Sequence, residues 1–93
     1  MGKFQIVNRM KGRTMAESGD FLVIDLREKE LYDLYHLNNA ISMPDATIDE
    51  IERLNKRDAQ WLLYCERGNL SFRLASKMVK NGYRVYAIGE PIV

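Results

Sequence analysis

The sequence has one cysteine and one histidine in 93 residues. A single cysteine excludes an internal disulfide framework and a cysteine-built metal cluster within the chain. One histidine gives no basis for a histidine-rich metal site. No apolar run approaches the roughly 18 residues that a membrane span needs. Lys3, Gln5, Asn8 and Arg9 interrupt any signal-peptide core near the start. Net charge is nearly absent as well, since 14 Lys and Arg against 13 Asp and Glu leave +1. There is no global charge argument for nucleic acid or for an anionic membrane surface. The expectation is one soluble, cytoplasmic domain over residues 1–93, with a reduced thiol and no metal. A hydrophobic content of 46% is enough for one core of modest stability.

What is present alternates between strand and helix patterns. Residues 4–7 form a short apolar patch that suits an edge strand. Asn8 is placed to cap a short helix running to about Ser18, although Gly12 and sparse apolar positions weaken that reading. Phe21-Leu22-Val23-Ile24 is a continuous apolar run, as in a strand buried on both faces. Residues 28–35 read as a short helix with Leu31, Leu34 and Tyr35 on its apolar side. Residues 40–43 form a short strand that stops at Pro44. Thr47 and Glu50 fit a capping box, with Ala46 and Ile51 as the hydrophobic staple. Residues 61–64 are the next strand. Leu74, Ala75, Met78 and Val79 give the apolar face of a helix from about Ser71 to Lys80, closed by Asn81-Gly82. Residues 83–88 are a last strand. The pattern predicts an α/β fold with a mainly parallel sheet, in which ligands bind at the carboxyl ends of strands.

Cys65 lies at such an end. The segment Glu66, Arg67, Gly68, Asn69, Leu70 and Ser71 is long enough to curl its backbone around the sulfur. Gly68 permits a positive φ, and inward-pointing N–H groups would make an anion nest. Ser71 is expected to cap the following helix or to donate its hydroxyl to the sulfur. Such a cradle favours a thiolate or the negative terminal sulfur of a persulfide. The competing reading is a buried, inert cysteine serving as core.

Two motifs carry a resemblance to the single-domain rhodanese-like sulfurtransferases. One is Ile24-Asp25-Leu26-Arg27-Glu28 with Glu30-Leu31-Tyr32, His36-Leu37 and Ala40-Ile41-Ser42-Met43-Pro44. The other is Tyr64-Cys65-Glu66-Arg67-Gly68-Asn69-Leu70-Ser71, followed by Gly82-Tyr83 and Val85-Tyr86. The resemblance implies a rhodanese-like fold of about five mainly parallel strands with helices on both faces. It implies transfer of sulfane sulfur through a Cys65 persulfide held by the backbone amides of residues 66–71, with no cofactor. The partners would be a small sulfur donor such as thiosulfate or polysulfide, a thiol or cyanide-like acceptor, and a sulfur-relay protein. Glu66 stands where the family often has arginine, and Leu70 where it often has arginine or threonine. Both changes remove positive charge or a hydroxyl from the place an anionic donor would occupy. Arg67 would compensate if it points inward. The family's C-terminal helix is expected to be absent.

Other residues have plainer roles open to them. Arg27 is a substrate-binding candidate at a neighbouring strand end, but an ion pair with Asp25 or Glu30 is the simpler expectation. His36 is expected to bond backbone rather than act as a base. Arg73, Lys77, Lys80 and Arg84 would form one basic stripe if their helix continued. Two other functions compete with sulfur transfer. A cysteine phosphatase wants arginine six residues after the nucleophile, where this chain has Ser71. A catalytically silent interaction domain is the alternative from outside enzymology.

Overall fold

The computed structural model describes residues 3–92. Its elements in chain order are β1 (Gln5–Val7), α1 (Arg9–Ser18), β2 (Phe21–Asp25), α2 (Lys29–Leu34), β3 (Ile41–Ser42), α3 (Ile48–Leu54), β4 (Gln60–Tyr64), α4 (Asn69–Lys80) and β5 (Arg84–Ile88). The strands form a five-stranded sheet in the order β1-β5-β4-β2-β3. Every pairing is parallel, with Val23 opposite Leu62 and Leu62 opposite Tyr86 in the central register.

The continuous apolar runs follow from that arrangement, because a parallel sheet buries both faces. Alternate residues of each strand serve opposite cores. Ile24, Trp61, Leu63 and Val85 pack with Ile51, Leu74, Ala75 and Met78 of α3 and α4. Val23, Leu62, Tyr64 and Ile88 pack with Met15 and Ala16 of α1, joined by Leu37 and Ala40. Trp61 is fully buried, and its indole N–H donates to the Lys56 carbonyl at 3.0 Å.

Local signals set several boundaries. Asn8 caps α1 by accepting from the Lys11 amide at 2.8 Å, and Gly19 closes it with φ 79°. Gly12, which counts against a helix by propensity, packs its backbone against Ile88 of the sheet. A β-carbon there would stand 2.4 Å from Ile88 Cδ1. The Thr47–Glu50 capping box of α3 is present in both directions.

Two expected features differ. The apolar side assigned to the second helix is not buried: Leu34 is 81% exposed and Tyr35 41%. α2 has only six residues and no buried one. Tyr32 faces inward instead, and its hydroxyl donates to the Ala40 carbonyl at 2.8 Å. The four-residue basic stripe is also broken. α4 ends at Lys80, and Arg84 sits on β5 with its guanidinium donating to the Asp58 carbonyl at 2.7 Å.

Candidate active site

β3, β2 and β4 are neighbours and run parallel, so their carboxyl ends open on one rim. The rim is tied together by backbone. The Met43 amide donates to the Asp25 carbonyl and the Leu26 amide to the Tyr64 carbonyl, both at 2.9 Å. The segments leaving these three strands enclose a cavity of about 430 Å³. Leu26, Arg27 and Glu28 line it from β2, Pro44 and Asp45 from β3, and Cys65, Glu66, Arg67, Asn69 and Leu70 from β4 and the start of α4.

Cys65 is buried at 5% exposure. Its connection to α4 is shorter than expected, because the helix begins at Asn69 rather than Ser71. Gly68 turns the chain in one residue with φ 85°, and a β-carbon there would also press on the Phe72 ring at 3.3 Å. Ser71 is therefore not the cap but the third helical residue. Its amide belongs to the first turn, whose N–H groups have no partner within the helix. That amide donates to Cys65 Sγ at 3.4 Å, and the Gly68 amide does so at 3.0 Å.

The Ser71 hydroxyl lies 3.5 Å from the sulfur and donates to the Gly68 carbonyl at 3.2 Å. In the neutral state the thiol is the donor to the Ser71 oxygen. On ionisation the single hydroxyl proton can rotate toward the sulfur. Burial pushes the Cys65 thiol up. The Ser71 hydroxyl and the loop amides outweigh it, so Cys65 lies below its ordinary value. Ser71→Ala should slow alkylation by iodoacetamide at pH 7 by roughly threefold to tenfold, with the pH profile moved upward. An unchanged profile would show that the hydroxyl does not support the thiolate.

Arg27 stands on the cavity wall with its charge already engaged. Asp25, fully buried, accepts from the Arg27 amide at 2.9 Å, from Nε at 3.1 Å and from Nη2 at 2.9 Å. Nη2 also donates to the Tyr35 carbonyl, and the guanidinium lies 5.3 Å from the Tyr64 ring centre. The Tyr64 hydroxyl donates to Asp25 at 2.8 Å and accepts from the Leu37 amide at 3.1 Å. Burial, reinforced by the Asp25 carboxylate, raises the Tyr64 phenol far above its usual range, so it remains a neutral donor. For Arg27, burial acts to lower the value but pairing with Asp25 prevails and raises it.

Arg67 is exposed, lines the cavity, and makes no salt bridge or side-chain hydrogen bond among the described residues. A second cavity of about 310 Å³ shares Arg27, Cys65, Glu66 and Arg67 with the first and adds Leu31, Pro91 and Ile92. Leu70, 49% exposed, lines the main cavity together with a further one of about 210 Å³ that Arg73 and Lys77 reach. His36 lines none of these. It stacks on the Tyr32 ring at 3.9 Å with Nδ1 2.8 Å from the Tyr32 carbonyl.

Glu28 and Asp45 are cavity residues that the sequence did not single out. Asp45 follows Pro44 and has φ 62°, so the Pro-Asp turn after the short strand was the available signal. Among the described residues, no group of three or more His, Cys, Asp or Glu is placed to hold a metal ion. No described helix is long and apolar enough to cross a membrane.

Comparison with known proteins gives a consistent result. The family model for the rhodanese-like domain matches residues 11–89. The thiosulfate sulfurtransferase GlpE of Coxiella burnetii is 22% identical over 86 residues, covering 91% of this chain and 80% of that protein. A tRNA sulfurtransferase of Pyrobaculum aerophilum is 31% identical over 68 residues, covering 72% of this chain but 14% of that protein. Among solved structures, a rhodanese-related protein from Thermoplasma volcanium superposes with a TM-score of 0.78 at 19% identity. That match covers 96% of this chain and 87% of the other.

Proposed function

The chain belongs to the rhodanese-like domain family, and on that premise we propose that it transfers sulfane sulfur from a donor to a thiophilic acceptor through a persulfide on Cys65. The observation that carries this is the cradle: Cys65 lines the cavity, and its sulfur accepts hydrogen bonds from the Gly68 and Ser71 amides. The thiolate attacks the outer sulfur of the donor. A bond forms from that sulfur to Sγ, the donor's sulfur bond breaks, and the leaving group departs with the electron pair. An acceptor thiolate or cyanide then takes the terminal sulfur, and Cys65 leaves as thiolate. The exchange is redox-neutral and draws on no cofactor.

In this reading the backbone from Glu66 through Ser71 holds the persulfide, and Gly68 makes the turn that aims it. Asn69 and Leu70 form the wall a donor passes. Arg67 is a cation on the cavity wall that makes no salt bridge among the described residues. Arg27 acts through the shape of the wall, because its charge is spent on Asp25. A reduced, cytoplasmic setting suits a free thiol. Phosphoryl chemistry is disfavoured by Ser71 at the sixth position after the cysteine, where no guanidinium can grip the oxygens.

The test is incubation with thiosulfate, inorganic polysulfide and mercaptopyruvate, followed by intact mass and by cyanide-releasable sulfur. Gain of sulfur at Cys65, discharged by cyanide, is the expected result. A Cys65 that gains sulfur from no donor would leave a silent interaction domain as the better description.

A further inference from the structure

The cavity carries a charge unlike that of the chain as a whole. Its charged lining consists of Arg27, Glu28, Asp45, Glu66 and Arg67. Arg27 is neutralised by Asp25 at 2.9 Å. Glu28, Asp45, Glu66 and Arg67 are exposed, and none forms a salt bridge among the described residues. Three carboxylates and one guanidinium that form no salt bridge among the described residues therefore line this cavity, on a chain whose net charge is +1, while Arg73 and Lys77 line the adjoining cavity that shares Asp45 and Leu70.

We propose that Glu28, Asp45 and Glu66 form a specificity-determining acidic rim, which favours sulfur donors with a cationic group near the sulfur and disfavours dianions such as thiosulfate. This rests on the sulfur-transfer reading above. The favoured class is the persulfide of an amine-bearing thiol. Its ammonium meets the carboxylates while its outer sulfur reaches Cys65. The Cys65 thiolate attacks the outer sulfur of R–S–SH, an Sγ–S bond forms as the donor's S–S bond breaks, and R–S⁻ leaves with the electron pair to be protonated by water. A dianion must instead bring two negative charges past the rim to a sulfur that is itself becoming anionic. The carboxylates are solvated, so the preference is moderate and sensitive to salt.

Two probes of like length vary the end charge: the persulfides of cysteamine and of 3-mercaptopropionate, which end in an ammonium or a carboxylate. Each rate is divided by that for a small free thiol under the same conditions, which removes their difference in leaving-group basicity. The readout is the second-order rate of sulfur gain at Cys65 by intact mass, at low ionic strength and again in 0.5 M salt, with thiosulfate as a third donor. The expected result is that the cysteamine persulfide reacts about tenfold faster than its carboxylate counterpart, with the ratio falling toward one in salt. The combined variant Glu28→Gln, Asp45→Asn, Glu66→Gln should abolish the ratio and speed the reaction with thiosulfate. Asparagine at 45 retains tolerance of the positive φ. The salt dependence of the native chain tests the idea even if that variant folds poorly. Equal rates for the two persulfides, or a faster carboxylate, would overturn the rim while leaving sulfur transfer intact. Failure of all three donors to load Cys65 would overturn both.

Discussion

Cys65→Ser should eliminate sulfur loading from every donor that loads the native chain, a loss of at least about a thousandfold. Serine keeps an acceptor for the Gly68 and Ser71 amides, so the cradle and the fold have no reason to collapse. Its hydroxyl is not ionised at neutral pH and does not form a stable sulfur-bearing adduct by this exchange. Cys65 is also the only cysteine, so no second thiol can substitute. The measurement is intact mass after donor treatment, beside a thermal melt that stays within a few degrees of the native chain. Covalent sulfur on the folded serine variant would place the nucleophile elsewhere and remove Cys65 from the mechanism.

Asp25→Ala should be the most damaging single change to stability, by about 3–5 kcal/mol. Asp25 is fully buried and accepts from Arg27 and Tyr64 at once. Removing it leaves a guanidinium that is 7% exposed without its counter-charge and a buried phenol without its acceptor. A domain of ordinary stability has only about 5–15 kcal/mol to lose, so a large fraction of the variant would unfold under mild denaturant. Urea melts of the variant measure the loss as a fall in midpoint. Replacing both partners, Asp25→Leu with Arg27→Met, should cost less than Asp25→Ala alone, because no unpaired charge stays behind. A cost below about 1 kcal/mol for Asp25→Ala would mean that water reaches Arg27 and that the pair is not a buried one.

Much of the fold was legible because a parallel sheet leaves a strong local mark. Residues 21–24 and 61–64 are apolar at every position, and each is a central strand with cores on both sides. The cap at Asn8 and the capping box at Thr47 mark helix starts through their own chemistry. The apolar spacing of α2 does not translate into a buried face, because helical spacing names a face only when the helix is long enough to lie on something. At six residues, Leu34 projects to solvent.

The site was legible at its centre and not at its edges. The lone cysteine before a glycine-bearing turn could be read directly. The start of α4 at Asn69 could not, since it depends on Gly68 adopting a left-handed conformation rather than on any side-chain cap. Tyr64 and Asp25 are 39 residues apart, and Glu28 and Asp45 meet Cys65 only because β2, β3 and β4 align in register. No local pattern carries such pairings.

The sulfur has a second role that follows from where α4 begins. Gly68 offers no side chain to the first turn, and Cys65, three residues earlier, accepts the amide of the third helical residue in its place. The thiol is in effect the N-cap of α4, so the protonation of one atom is written into the stability of the whole fold. Its value is depressed in the folded chain. The added stability is therefore complete above the ordinary thiol value of the unfolded chain and vanishes as pH falls through the folded one. Thermal melts of the native chain and of Cys65→Ser should diverge as pH rises across that interval, with the native chain gaining. Parallel curves would uncouple the sulfur's charge from the helix.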